Sequence, residues 1–167
     1  MNTMIPCTSA ESAAIASLWN VKVLDAASCW FGAPTTDAAA VTQLMADGFI
    51  FALAESPVQP VGFGFWRGPW LNAFAADGPE AYYRLMLAYV DDNLAAGRTA
   101  LVATIGASVT TEYGWLTALS AVTLTPVGFE PIAIGQSPSS RVPTVLEVSA
   151  DAATLRANLV ALLGGAP

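Results

Sequence analysis

The chain has 167 residues, 54% of them apolar and only 11% charged, which suits one domain with a large core and leaves apolar surface for a protein partner or a second copy. Its net charge is −7 and its six basic residues are scattered singly, so a nucleic-acid partner is excluded, because that partner needs clustered positive charge. The chain lacks histidine and has two cysteines, which excludes His-based triads and the usual zinc ligand sets, so no metal is expected.

Two helices are predicted before the first strong strand. Thr8 and Glu11 have the spacing of a capping box. The apolar residues that follow recur at helical spacing: Ile15, Leu18 and Trp19. A second helix is expected to begin near Thr36 or Asp37 and to end at Gly48.

Three strands are predicted next, at residues 49–55, 61–67 and 70–76, and the prolines of the SPVQP sequence favour a hairpin between the first two. Alternate residues of the second strand form one apolar face, made by Val61, Phe63 and Phe65. Gly62 and Gly64 leave the opposite face bare, either for a closely packed neighbour or for a ligand.

A long helix is predicted to follow these strands, with Asp77 as its cap, Pro79 in its first turn and Gly97 at its end. A buried strand at residues 98–105 and a further apolar helix at residues 113–124 come next.

The TPVGFEPIAI sequence at residues 125–134 predicts a helix-to-strand corner. Its proline and glycine end the helix, Phe129 enters the core and Glu130 stays in solvent. The PIAI sequence then begins a strand that returns at residues 144–148.

A last helix is predicted between Asp151, a natural cap, and Gly164. Its apolar face is made of leucines: Leu155, Leu159, Leu162 and Leu163. A helix this short is marginal alone in water, so these leucines must dock on their own domain or form a partner-binding site on another chain. The predicted organisation is a domain at residues 1–148, followed by a C-terminal amphipathic helix and tail at residues 149–167.

This order of elements resembles the acyltransferase fold of the Gcn5-related N-acetyltransferase (GNAT) family. The sequence MIPCTSAESAAIASLW at residues 4–19 is similar to the family's opening strand and first helix, and VGFEPIAI at residues 127–134 to its GFE corner. The likeness spans about residues 4–148. It implies an α+β fold in α/β/α layers, with a mixed, mostly antiparallel sheet, helices on both faces and an extra C-terminal helix.

The family holds the pyrophosphate of acetyl-CoA on a loop after the fourth strand, with the pattern Arg or Gln, two residues, Gly, one residue, then Gly or Ala. The corresponding AFAADGPEAYYR sequence keeps only Gly78; Pro79 has no N–H, and Asp77 and Glu80 place negative charge where phosphates would lie. We therefore expect that the chain binds no cofactor. The alternative is an acetyl-CoA site made by backbone amides near Ala75, Ala76 and Gly78.

The family's catalytic groups are also incompletely matched. A tyrosine that often protonates the leaving thiolate is replaced by Leu124, and Tyr113 could substitute for it only if its helix were shifted. Three glutamates could act as a base, although each is better explained as a solvated carboxylate: Glu55, Glu112 and Glu147. Cys7 is interpreted as an inert packed thiol, and Trp66 and Trp70 as core residues.

These observations leave three functions open. The first is a retired acyltransferase fold used as a structural or interaction module, similar to degenerate acyltransferase-like proteins that tailed phages encode, some of them associated with the virion. The second is a divergent N-acetyltransferase that acts on a small amine or a protein amine. The third is a ligand-binding module that keeps the cleft without the chemistry.

The sequence also predicts where the protein is found. No window of about 20 residues is apolar enough to span a bilayer, so no membrane partner is expected. The MNTMIPCTSA sequence has no basic region and no apolar core, which predicts no secretory signal. The expected location is the cytoplasm, or a virion made there.

Overall fold

A seven-stranded mixed sheet forms the centre of this computed structural model, which describes residues 3–25, 35–107, 130–139 and 142–164. Its strands are β1 (Thr3–Pro6), β2 (Ile50–Glu55), β3 (Pro60–Arg67), β4 (Trp70–Ala76), β5 (Ala100–Ala107), β6 (Glu130–Ser139) and β7 (Val142–Asp151). The described helices are α1 (Ser12–Asp25), α2 (Ala38–Ala46), α3 (Pro79–Ala95) and α4 (Ala152–Leu162).

The strands lie in the order β1-β2-β3-β4-β5-β7-β6, and β4 and β5 are the parallel pair among otherwise antiparallel neighbours. Helices α1 and α2 pack on one face and α3 and α4 on the other, which gives two separate cores. The predicted α+β fold, with helices on both faces and an added C-terminal helix, is confirmed.

The predicted start signals of the first two helices are confirmed. The backbone N–H of Thr8 donates to Oε2 of Glu11 at 2.6 Å, and the N–H of Ala10 donates to Oγ1 of Thr8 at 3.2 Å, which completes the capping box before one 3-10 turn and α1. The carboxylate of Asp37 accepts from the N–H of Ala40 at 2.8 Å and caps α2.

The first core is an aromatic cluster between the sheet and α1. The rings of Phe51 and Phe65 stack at 4.8 Å, and the ring of Trp19 stacks on Phe65 at 5.2 Å and on Phe63 at 5.7 Å. The phenylalanine rings come from β2 and β3, where Phe63 and Phe65 are two positions apart and share a face, and Trp19 comes from α1. Val61, predicted on the same face, packs against the second core instead, because an irregularity in the pairing of β2 with β3 falls at this position.

The second core lies under α3, and it explains the two glycines of β3. Gly62 and Gly64 pair with Ala54 and Ala52, so that this face carries the smallest side chains of the sheet where α3 packs. The structure therefore supports close helix packing as the role of these glycines. Trp66 belongs to the same core, and its Nε1 donates to Oδ2 of Asp92 at 2.9 Å. The interpretation of Trp70 as a core residue is wrong, because this side chain at the start of β4 is 47% exposed.

Helix α4 completes this second core. Ala152, Leu155 and Leu159 are fully buried in the cluster that α3 forms with the sheet. An ion pair joins the two helices, with Nε of Arg156 2.7 Å from Oδ1 of Asp91. Asp151 caps α4 as predicted, because its carboxylate accepts from the N–H of Thr154 at 2.9 Å.

Several predicted bounds differ from the structure. β7 runs from Val142 to Asp151 and is longer than the predicted 144–148, so residue 148, the predicted domain limit, lies within a strand. Glu130 begins β6. The predicted helix at 113–124 and the corner residues 125–129 lie outside the described residues, and the division of the chain into two parts stays a prediction.

None of the described helices combines the length and the apolar character that a bilayer span requires.

Candidate functional site

The candidate site is a gap in the sheet between β4 and β5. The two strands pair at only two positions, Trp70 with Val102 and Leu71 with Ala103. Beyond Leu71, β4 continues along β3 while β5 continues along β7 for its whole length. The parallel strands therefore separate toward their carboxyl ends and leave a wedge-shaped gap.

A β-bulge lies where the gap begins. Trp66 pairs with Leu71 and Phe65 pairs with Ala73, so Asn72 is an extra residue without a partner in β3. A bulge bends its strand and reverses which side the following backbone groups face. The bulge at Asn72 thus accounts for the departure of β4 from β5.

The hydrogen-bond pattern after the bulge shows which β4 groups face the gap. The N–H of Asp77 donates to the carbonyl of Val61 at 2.8 Å, so this pair is a hydrogen-bonded pair of the antiparallel ladder. Because such pairs alternate with non-bonded ones, Phe74 and Ala76 direct their N–H and C=O groups away from β3. Two backbone donors and two acceptors therefore face the gap, whereas those of Ala75 face β3.

The entrance to α3 lies at the mouth of this gap and is very short. Asp77 and Gly78 alone connect β4 to α3. Gly78 is the N-cap, with φ at +85°, and no side chain caps the helix. The prediction that Asp77 caps α3 is wrong, because its backbone stays paired with Val61 and the helix begins one residue later. Pro79 occupies the first turn as predicted.

The amides and charges at this entrance are unfavourable for a diphosphate. The N–H of Asp77 is bonded to β3 and Pro79 has none, so neither residue offers a donor to a ligand. Glu80 lies in the first helical turn and adds a negative charge there, and its Oε1 lies 3.0 Å from Nε of Arg84. Asp77 and Glu80 place two acidic residues within the first turn and the connection before it, next to the positive end of the helix dipole that an anion would use.

A buried tyrosine holds β4 and β5 together at the base of the gap. The hydroxyl of Tyr89 donates to the carbonyl of Pro69 at 2.5 Å and lies 3.4 Å from the carbonyl of Val102. The N–H of Val102 donates to the same Pro69 carbonyl at 2.9 Å. Burial raises the pKa of Tyr89 above its ordinary value, so the hydroxyl keeps its proton and this clamp is neutral.

Other predicted site residues lie away from the gap or beyond the described residues. Tyr113, Leu124 and Glu112 lie outside the described ranges, so any role in catalysis stays a prediction. Glu55 ends β2 opposite Thr3 in the edge strand, and Glu147 lies in β7 opposite Thr104 of β5.

Cys7 lies half-buried beside β2. Burial, followed by the charge of Glu11, raises its pKa to about 12. Its thiol therefore stays protonated at neutral pH, which agrees with its interpretation as an inert packed group.

The four leucines of α4 do not share one environment. Leu155 and Leu159 are buried in this chain's own core, so the helix docks on its own domain, the first of the two alternatives. Neither side chain is exposed to solvent, so neither can contact a partner in this conformation. Leu162 is 45% exposed and Leu163 partly so, and a partner-binding role for them stays a prediction.

A cavity of about 560 Å³ lies between α1 and α2. Its lining consists of Trp19, Thr35, Thr36, Asp37, Ala40, Gln43 and Leu44. The polar groups around it hold local structure: Asn20 exchanges two hydrogen bonds with the backbone of Thr36, and Gln43 donates to Asp47 at 2.9 Å. Within the described ranges, no group of three potential metal ligands comes together.

Sequence reasoning missed the residues that shape the gap. Asn72, a polar residue inside the apolar WLNAFAA strand, was the available signal for the bulge. Tyr89 gave no such signal, because its position on the helical stripe is equally typical of a core residue.

No family model and no curated protein matches the sequence. Solved structures do match. The ribosomal-protein-alanine N-acetyltransferase from Brucella melitensis is 20% identical, with a TM-score of 0.68 over 89% of this chain and 99% of its own. The yncA protein from Salmonella typhimurium, solved with its cofactor acetyl-CoA, is 18% identical, with a TM-score of 0.68 over 91% and 94%.

A GCN5-related N-acetyltransferase from Rhodopseudomonas palustris is 15% identical, with a TM-score of 0.66 over 90% of this chain and 96% of its own. The likeness covers most of each chain, but the sequence identity is low, so the comparison supports a shared fold and not a shared activity. This chain has the GNAT fold.

Proposed function

We propose that this chain is a non-catalytic protein with a GNAT fold, which acts as a structural or interaction module. The observation that carries the proposal is the connection Asp77–Gly78 between β4 and α3. A connection of two residues is too short to wrap a diphosphate, and it leaves out the glycine-rich loop by which the family is expected to hold acetyl-CoA.

The energetic reasons are the missing donors and the added acids. Anion sites at helix N-termini work because several backbone N–H groups converge on the ligand and the helix dipole favours negative charge. Here Asp77 and Pro79 supply no N–H, and the carboxylates of Asp77 and Glu80 repel an anion. Arg84 is close to Glu80 and offsets only part of that charge.

Thermal unfolding with and without acetyl-CoA tests the proposal. A surviving site with a Kd one hundredth of the ligand concentration would stabilise the fold by about 2.7 kcal/mol. For a domain of this size that corresponds to a rise in Tm of roughly 5 to 11 °C. We expect no rise at about 1 mM acetyl-CoA, and a rise of that size would contradict the proposal.

A double variant, Asp77→Asn with Glu80→Gln, separates charge from geometry. If the missing donors exclude the cofactor, the variant also shows no rise in Tm with acetyl-CoA. If the acids alone exclude it, the variant gains the rise. An assay for free thiol released from acetyl-CoA in the presence of a small amine should give no signal above background for either protein.

The gap itself favours a second candidate, a divergent N-acetyltransferase. β4 and β5 still separate beyond Leu71, which leaves room for the acyl arm of a cofactor. This candidate requires saturable acetyl-CoA binding and acetyl transfer to an amine, so the same titration and thiol assay decide between the two. The narrower expectation of a place in a phage virion stays a prediction, which co-purification with particles from the native source would test.

A further inference from the structure

We infer that the gap between β4 and β5 binds an extended, positively charged peptide segment of a partner protein, which adds to β4 as a strand. The inference rests on the proposed interaction role and names the partner's chemistry. It follows from the backbone geometry of β4, from the short entrance to α3 and from the charges at the mouth of the gap.

The backbone groups of β4 that face the gap form a short sheet edge. Among the described strands, none pairs with β4 on this side beyond Leu71. Phe74 and Ala76 direct their N–H and C=O groups into the gap and lie two positions apart along the strand. Two positions of a strand span about 7 Å, which matches the repeat of donors and acceptors on an extended peptide.

A peptide strand suits this edge because its main chain can form ladder hydrogen bonds with β4, and these bonds do not require an anion site at the entrance to α3. Hydrogen bonds to the main chain give affinity that depends little on the sequence of the added strand. The gap lies inside the sheet, between β3-β4 and β5-β7, so an added strand would restore continuity on its β4 side. Backbone groups in such a position are normally paired in folded proteins.

The acidic residues at the mouth of the gap favour a positively charged peptide. Asp77 directly follows Ala76, the last residue that faces the gap, and Glu80 lies in the next turn. Both residues are exposed, Arg84 forms an ion pair with Glu80, and the whole chain carries a net charge of −7. A lysine or arginine of the partner is therefore attracted to the mouth, and an acidic segment is repelled.

Fluorescence anisotropy with a labelled, capped octapeptide of alternating lysine and threonine tests the inference. We expect saturable binding, weakened about tenfold or more when alternate backbone nitrogens of the peptide are methylated, because methylation removes ladder donors. The Asp77→Asn, Glu80→Gln variant should bind the unmethylated peptide about twofold to fivefold more weakly. Asp47→Asn, which removes an exposed carboxylate after α2, should leave binding unchanged.

Amide hydrogen exchange locates the peptide on the protein. Binding should slow exchange at Phe74 and Ala76. The inference is overturned if the peptide does not bind up to about 1 mM, if the methylated peptide or an alternating glutamate and threonine peptide binds equally well, or if protection appears on the edge strands β1 or β6 instead. Binding or turnover of acetyl-CoA refutes the proposed function, whether or not the peptide binds. If neither acetyl-CoA nor the peptide binds, only this inference is refuted.

Discussion

Helix α4 provides the sharpest test of the second core, because it carries a buried and an exposed leucine on the same short segment. Leu159 is fully buried in the cluster with α3, whereas Leu162 is 45% exposed. Replacing a buried leucine by alanine removes transfer free energy and leaves a cavity, at a cost of about 2.7 to 5 kcal/mol. We therefore expect Leu159→Ala to lower the free energy of unfolding by an amount in this range.

Leu162→Ala is the matched control, because the chemical change is identical and only the burial differs. Complete burial of a leucine contributes about 1.5 to 3 kcal/mol, so a side chain that is nearly half exposed loses about 1 kcal/mol. Alanine also has the highest helix propensity, which offsets part of that loss. For a domain of this size, Leu159→Ala should lower Tm by roughly 5 to 20 °C and Leu162→Ala by no more than about 4 °C.

Urea unfolding followed by circular dichroism measures both free energies, and repeating it over a range of protein concentrations adds a second readout. If α4 docks on its own domain, the midpoint of Leu159→Ala does not depend on concentration. Equal losses of unfolding free energy in the two variants would refute the packing described above. So would a wild-type urea midpoint that rises with protein concentration and is lower in Leu162→Ala, because that result would show that α4 packs between chains.

Two further predictions concern the clamp at the base of the gap and the cap of α4. Tyr89→Phe removes the hydroxyl that donates to Pro69, so it should cost about 1 kcal/mol in urea unfolding and speed amide exchange at Val102, while Tyr83→Phe on the same helix should do neither. The backbone N–H of Thr154, followed by its hydroxyl, lowers the pKa of Asp151, so this carboxylate stabilises the fold above its unfolded pKa of about 3.9 and the contribution is lost as pH falls through the lower folded pKa. As the pH is lowered below about 4, the urea midpoint of Asp151→Asn should therefore decrease less steeply than that of the wild type. Equally steep decreases would contradict the role of Asp151 as the cap of α4.

Local chemistry made much of the fold predictable from the sequence. The capping box of Thr8 and Glu11 is formed by adjacent backbone, so its residues determine the start of the first helix without help from tertiary contacts. The alternation of Phe63 and Phe65 with glycines likewise encodes a strand with one aromatic face and one bare face. Signals of this kind are complete within a few residues.

The shape of the candidate site could not be predicted in the same way. The gap depends on which residues of β3 and β4 pair, and the extra residue Asn72 becomes visible only once both strands are in register. The sequence favours Asp77 as the cap of α3 because aspartate is a common cap, whereas pairing with Val61 keeps that backbone in the sheet and moves the cap to Gly78. Pairing between strands prevailed over local preference in both places.

The gap and the entrance to α3 have independent structural origins, and this independence bears on function. The gap arises from the bulge at Asn72 and from the Tyr89 clamp, which lie in the body of the sheet, whereas cofactor binding would depend on the length and composition of the connection at Asp77–Gly78. A chain can therefore lack the diphosphate cradle and still keep the gap. Because unpaired strand edges invite pairing with other chains, a gap of this kind is a place where a partner strand can add, and the acids at its mouth favour one with positive charge.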